Sequence, residues 1–165
     1  MKFPKLAMWM ITLATLGTLA GAPVLAGGSN RGRPRGIEGV WQTVVTPNNC
    51  ATGAPLGFTV RGIFTFNHGG TMSEYGIGPG ATPALRSPGH GIWQREHGWR
   101  EYSFVFTYYR YDTTGALLGS QEVRASLTLA DSGDQISTVS AIDAIDANGN
   151  VVGSFCATAT GTRFE

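Results

Sequence analysis

The residues of this chain that are best suited to chemistry are few and widely separated. The sequence contains 3 histidines, His68, His90 and His97, and none of their intervals matches the short spacing that places two imidazoles on one metal. No metal site and no cofactor are therefore expected. A nucleophile elbow, a phosphate-binding glycine loop and a dinucleotide fingerprint are also missing, so no catalytic motif is identified. One arrangement stays open, because strands distant in sequence can bring the carboxylates of Glu74 and Glu122 together.

The first 26 residues have the pattern of an export signal. Two lysines precede a mostly apolar run over residues 6–19, and Ala26 ends a sequence of the kind that signal peptidases cut. Cleavage after Ala26 predicts a periplasmic or secreted bacterial protein with no membrane span after cleavage. The alternative is a retained anchor, since residues 6–26 are almost long enough to cross a bilayer.

The charge of the remaining chain argues against nucleic acid as a partner. Residues 27–36 have no apolar side chain to bury, which predicts a disordered Arg/Gly tail. Its run Arg31-Gly32-Arg33-Pro34 resembles the core of an AT-hook, but behind an export signal a solvated spacer is the favoured interpretation. Residues 37–165 carry seven arginines and eleven acidic residues, a net charge of −4. A nucleic-acid-binding domain would be basic.

The chain contains 2 cysteines, Cys50 and Cys156, and both lie after the predicted signal. An even number of cysteines in an exported chain predicts a disulfide. Free buried thiols are the alternative.

Residues 37–165 are expected to form a single all-β domain. The chain contains 24 glycines and 8 prolines, and turn residues separate eight runs rich in aromatic and β-branched side chains. The clearest turn signal is Asn148-Gly149, which predicts a type I′ hairpin. The predicted strands span roughly 38–46, 58–67, 70–76, 90–96, 99–111, 117–130, 134–147 and 150–164. Successive hairpins of this kind form an antiparallel meander, and eight strands suffice to close it into a barrel. A two-sheet β-sandwich fits the same pattern and is the alternative.

Two short motifs at the ends of this domain add a resemblance. Gly39-Val40-Trp41 opens the first predicted strand and Arg163 lies near the end of the last, which resembles the lipocalin and wider calycin barrels. The resemblance implies an eight-stranded antiparallel up-and-down barrel in which the first and last strands pair. Arg163 would then pack across the Trp41 ring at the closed end, and Trp41→Ala would destabilise the fold much more than Arg163→Ala. The same pairing would bring Cys50 and Cys156 together at the other end, where the loop after the first strand overhangs the mouth.

The strand at 99–111 is apolar on both faces. Either a partner subunit covers part of the outside, as in a homodimer, or aromatic side chains line the inside. An aromatic wall facing small residues would leave a cavity for an apolar ligand, and the loop at 77–89 would act as its lid. The small residues are Gly62, Gly119, Ala125, Ala141, Ala157, Ala159 and Gly161. The residues predicted to line the lumen are Phe64, Phe66, Tyr75, His90, Trp93, Phe104, Phe106 and Tyr108.

Three functions fit this interpretation. The first is an exported barrel that binds a small hydrophobic molecule. The second is an enzyme that uses the lumen as a reaction chamber, similar to allene oxide cyclase-like barrels, which a buried His90–Glu or Tyr–Glu pair would favour. The third is a structural or self-associating envelope protein, which a filled lumen would favour. The segment 86–93 also resembles part of small secreted bacterial proteins of unassigned function, and this implies no mechanism.

Overall fold

The computed structural model of the protein describes residues 36–164. The predicted export signal and nearly all of the predicted tail lie outside these residues. Eight strands and one short 3₁₀ turn at Pro83–Leu85 make up the described fold. The strands are β1 (Gly39–Asn48), β2 (Val60–Phe66), β3 (Thr71–Ile77), β4 (Gly89–His97), β5 (Glu101–Tyr111), β6 (Leu117–Leu129), β7 (Gln135–Asp146) and β8 (Val151–Arg163). Each predicted strand corresponds to one of them.

The strands form a closed antiparallel barrel in which every strand pairs with its neighbours in sequence and β1 pairs with β8. This confirms the predicted eight-stranded up-and-down barrel, and the β-sandwich alternative is wrong. Because the sheet closes on itself, each of the eight strands has a hydrogen-bonded neighbour on both sides. Among residues 36–164, no helix is long and apolar enough to cross a membrane.

Alternation along the strands separates a packed interior from the outer surface. On β5, Tyr102, Phe104 and Phe106 are buried, whereas Ser103 and Val105 between them are partly exposed. The side chains of Tyr102, Phe104 and Phe106 therefore line the inside of the barrel. One half of the barrel is filled by a core of large side chains, and we call this half the closed end. Its members with almost no exposed surface are Ile37, Trp41, Phe66, Met72, Tyr102, Leu127 and Leu129.

The pairing of β1 with β8 forms a seam that is fastened near both ends. Trp41 lies opposite Arg163 in the register, and the guanidinium carbon is 4.2 Å from the centre of the Trp41 ring. Trp41 is fully buried, and its Nε1 donates to the Ile37 carbonyl at 2.9 Å. At the other end of the seam Cys50 and Cys156 form a disulfide, with Cα atoms 5.1 Å apart. Both predicted contacts are therefore confirmed.

The hairpin between β7 and β8 differs in detail from its prediction. Gly149 has a φ of +89°, but no residue other than glycine has a positive φ among the described residues. A type I′ turn requires positive φ at both central positions, so that assignment of Asn148-Gly149 is wrong. Instead Asp146 caps a longer turn, and its carboxylate accepts hydrogen bonds from the backbone amides of Asn148 and Asn150 at 2.9 and 2.8 Å.

Candidate functional site: a cavity at the open end of the barrel

The half of the barrel opposite the closed end contains a cavity of about 500 Å³. Its volume lies in the range of pockets that bind small molecules. Leu56 and Phe58, from the loop that follows β1, line its mouth, as the resemblance to lipocalin-like barrels implied. The apolar wall residues are Val45, Pro47, Val60, Phe64, Phe104, Phe106, Val123, Ile142, Phe155, Ala157 and Ala159.

The cavity exists because small and large inward-facing residues stand on opposite sides of the barrel. Ala157 and Ala159 lie on the inner face of β8, and Phe104 and Phe106 lie on the inner face of β5. A barrel of eight strands is filled only where most inward-facing residues are large. Other predicted small positions do not contribute: Ala141 is exposed on the outside of β7.

Four of the eight predicted lumen residues line the cavity: Phe64, Phe104, Phe106 and Tyr108. Phe66 and Trp93 point into the barrel but lie deeper, in the closed end, where their ring centres are 6.2 Å apart. Of the predicted aromatic residues, some therefore line the cavity and the others belong to the packed core of the closed end.

Tyr75 and His90 do not face the lumen, so their predicted place among its lining residues is wrong. Glu74 pairs with Phe64 on β2 and with Gly89 on β4, which turns Glu74 and Gly89 inward. Successive side chains of a strand point to opposite faces. The next residue on each strand, Tyr75 and His90, therefore points out, and both side chains are exposed.

The main polar feature of the cavity is an ion pair between Glu74 on β3 and Arg86 in the loop before β4. Arg86 donates through Nη2 to Glu74 Oε2 at 2.5 Å and through Nη1 to Oε1 at 3.3 Å. Nη1 also donates to the Gly76 carbonyl at 2.6 Å, and Nε donates to the Ser87 carbonyl at 3.2 Å. The side chains of Arg86 and Glu74 are only 15% and 7% exposed.

A glycine makes room for this pair. A Cβ atom at Gly89 would lie 2.8 Å from Glu74 Oε2 and 2.8 Å from the Phe106 ring. Any larger residue at this position would displace the carboxylate. The inner face of β4 at Gly89 therefore forms a recess that holds the Glu74 carboxyl group in the cavity wall.

Tyr108 lies beside the ion pair. The guanidinium carbon of Arg86 is 3.6 Å from the centre of the Tyr108 ring, and the Tyr108 hydroxyl donates to the side-chain carbonyl of Gln121. Burial raises the pKa of Glu74 above its ordinary value of 4.5, and the Arg86 guanidinium opposes this shift without cancelling it. Burial also raises the pKa of Tyr108, so its hydroxyl stays protonated at neutral pH.

Arg86→Met is expected to make stability more dependent on pH. A carboxyl group whose pKa is raised by folding binds its proton more tightly in the folded state. The stability of the protein therefore falls as the pH rises from the pKa of the unfolded chain through the pKa of the folded chain. Losing Arg86 raises the pKa of Glu74 further, because the guanidinium lowers it. The free energy of unfolding of the variant should therefore be closest to that of the parent at acidic pH. At neutral pH it should be lower by about 2 kcal/mol. Denaturant unfolding across this pH range measures the difference.

The matched control for that experiment is the double variant Glu74→Gln with Arg86→Met, which leaves no titrating carboxyl group at the site. It should lack the added pH dependence of Arg86→Met. A constant stability difference between Arg86→Met and the parent at every pH would contradict the assigned coupling.

The expected meeting of two carboxylates is settled by where their side chains lie. Glu122 is on the outer face of β6, where it forms an ion pair with Arg124. The proposed pairing of Glu74 with Glu122 is therefore wrong, because the two carboxylates lie on opposite sides of the sheet.

Of the predicted lid at 77–89, Arg86 lines the cavity. Within residues 36–164, no three His, Cys, Asp or Glu side chains cluster closely enough to hold a metal ion.

The fold and the cavity together define an eight-stranded antiparallel barrel with a closed floor and an apolar pocket at its open end, an architecture consistent with a lipocalin-like fold. No family model matches the chain, and no curated protein is significantly similar to it in sequence.

Proposed function

We propose that this protein is an exported, lipocalin-like barrel that binds a small hydrophobic molecule in its open-end cavity. The observation that supports it best is the cavity itself, which is about 500 Å³ in volume and walled mainly by apolar side chains. Burial of apolar ligand surface supplies roughly 25 cal/mol per Å², so such walls favour apolar ligands. The fully buried Trp41 beneath Arg163 supports the finer assignment to the calycin barrels.

The arrangement of polar groups favours binding over the enzymatic alternative. His90 is on the outer surface, so no His90–Glu pair forms in the lumen. Tyr108 and Glu74 both line the cavity, but the Tyr108 hydroxyl bonds to Gln121 and the Glu74 carboxylate bonds to Arg86. The open space in the lumen likewise favours binding over a purely structural protein.

The disulfide supports the proposed location. Disulfides persist in oxidising compartments such as the periplasm and the extracellular space. The bond between Cys50 and Cys156 fits either of these compartments. Together with the signal pattern of the first 26 residues, it supports export.

Filling the cavity should abolish binding of an apolar probe. The neutral fluorescent dye N-phenylnaphthylamine is expected to bind the parent protein with one-to-one stoichiometry. Ala159→Phe places a ring inside the cavity, and Phe106→Trp enlarges another side chain of its wall. Each variant should lower the affinity for the dye at least about tenfold, because steric exclusion from an apolar pocket has effects of that size. Fluorescence titration gives both stoichiometry and affinity.

The control is Thr160→Phe, at the residue next to Ala159. Thr160 points outward and is exposed, so this variant adds the same ring to the outside of β8. It should bind the dye as the parent does. Unchanged binding by both cavity variants would show that the dye binds elsewhere, and the proposed function would fail.

A further inference from the structure

The cavity contains charges that cancel. Among the described residues that line it, Glu74 and Arg86 are the charged ones, and they lie in direct contact. The remaining polar side chains on its wall are uncharged: Tyr108, Gln121, Thr138 and Ser140. With Glu74 ionised, the wall offers a ligand no uncompensated charge.

Arg86 is also poorly placed to receive a second carboxylate. Both of its terminal nitrogens already donate to Glu74, and one of them donates to the Gly76 carbonyl as well. An anionic ligand that took over these donors would leave the Glu74 carboxylate buried without its partner. Such an exchange is costly, since an unpaired charge away from water is strongly destabilised. An anionic ligand that left the ion pair intact would lose its hydration beside a pair whose charges already cancel, and neither member of the pair would compensate its charge.

Arg110 on β5 does not remove this obstacle. Its Nη2 donates to the Ile145 carbonyl at 3.4 Å, and its side chain is not among those that line the cavity. A hydroxyl, carbonyl or amide group of a ligand has no such difficulty. It can exchange hydrogen bonds with Tyr108 or Gln121 while the ion pair stays intact.

Resting on the binding function proposed above, we propose that the Glu74–Arg86 pair makes the cavity selective for neutral amphiphiles and excludes carboxylates. The ligand class is an apolar molecule with one uncharged hydrogen-bonding group, such as a long-chain alcohol, ketone or amide. Glu74 is the specificity-determining residue, because it cancels the charge that would otherwise attract an anion. Arg86 in turn holds the Glu74 carboxylate against the wall of the cavity.

The test compares two ligands that share one apolar chain. Decan-1-ol and decanoate are titrated against the complex with N-phenylnaphthylamine at neutral pH, and displacement of the dye gives both affinities. The parent protein should bind the alcohol at least about tenfold more tightly than the carboxylate, since an ionised carboxylate gives up its hydration in the cavity without gaining a counter-charge. In Glu74→Gln the guanidinium loses its compensating charge. Its preference for the alcohol should shrink by about tenfold or reverse.

Two further variants separate this effect from a general change of charge or stability. Glu122→Gln removes a carboxylate from the outer face of the barrel and should keep the parent's preference. Arg86→Met removes the cation of the cavity wall that could pair with a carboxylate, so it should keep or strengthen the discrimination against decanoate. The Arg86→Met measurement tests the proposal even if Glu74→Gln does not fold, which circular dichroism would reveal.

The outcomes are distinct. Equal or tighter binding of decanoate by the parent overturns the inference, as does an unchanged preference in folded Glu74→Gln or a weakened discrimination in Arg86→Met. In these cases the dye still binds and the proposed binding function stands. If the parent binds neither the dye nor the alcohol nor the carboxylate, the proposed function fails, and the selectivity fails with it.

Discussion

Replacing Cys50 and Cys156 together by serine is expected to lower the free energy of unfolding by about 4–5 kcal/mol. The two cysteines are 106 residues apart in sequence, so their bond closes a loop that includes most of the barrel. In the chain-entropy model, a cross-link over such a loop removes many conformations from the unfolded chain and so stabilises the folded one. Denaturant unfolding of the parent and the double variant measures the difference.

A reductant supplies the control for this prediction. It should lower the stability of the parent to that of the double serine variant, and it should leave the variant itself unchanged. Two reactive thiols in unreduced, denatured parent protein would show that the bond does not form, which would remove the basis of the prediction.

Trp41→Ala is expected to cost about 3–5 kcal/mol, because the side chain is fully buried and its loss leaves a cavity in the closed end. The sequence predicted a much smaller effect for Arg163→Ala, on the basis of a cation–π contact alone. The structure adds three hydrogen bonds from Arg163 to the carbonyls of Gly36, Glu38 and Gly133, at 2.7, 2.6 and 3.0 Å. Arg163→Ala should therefore lower the free energy of unfolding by about 2–3 kcal/mol. The difference in stability between Trp41→Ala and Arg163→Ala should then be smaller than the sequence predicted.

Arg163→Lys tests the reason for that revision. Lysine keeps the positive charge above Trp41 but lacks the planar group that serves several acceptors at once. The free energy of unfolding of Arg163→Lys should therefore fall almost as much as that of Arg163→Ala. Full stability of Arg163→Lys would mean that charge alone suffices and that the hydrogen bonds to the three carbonyls contribute little. Thermal or denaturant unfolding of the three variants decides between these results.

The strands were predictable because their boundaries carry strong local signals. Runs of β-branched and aromatic residues end at glycine, asparagine or aspartate, for example at Asp112 and Asp146, whose carboxylates accept hydrogen bonds from turn amides. Local chemistry of this kind is readable from sequence. The pairing of β1 with β8 was also predictable, because Trp41 and Arg163 are distinctive residues that lie nine and seven residues from Cys50 and Cys156, respectively.

The orientation of individual side chains was harder to predict. His90 and Trp93 were both placed in the lumen, although positions three apart on a regular strand face opposite sides. Counting along β4 would have shown that only one of them faces inward. The ion pair was missed for a different reason. Arg86 lies in a loop, where no periodic pattern indicates direction, and its contact with Glu74 depends on the recess at Gly89.

The seam between β1 and β8 also has a consequence for how the chain matures. These strands are the first and last of the barrel, so their pairing unites segments that leave the ribosome at opposite ends of synthesis. Contacts between such distant segments form slowly, because the chain loses the entropy of a long loop before the contacts can stabilise it. Until β8 has been made, β1 has only β2 as a neighbour, and its other edge is free to pair with another chain. The nascent barrel therefore stays vulnerable to aggregation until its last strand arrives, and the bond between Cys50 and Cys156 then fastens the completed seam.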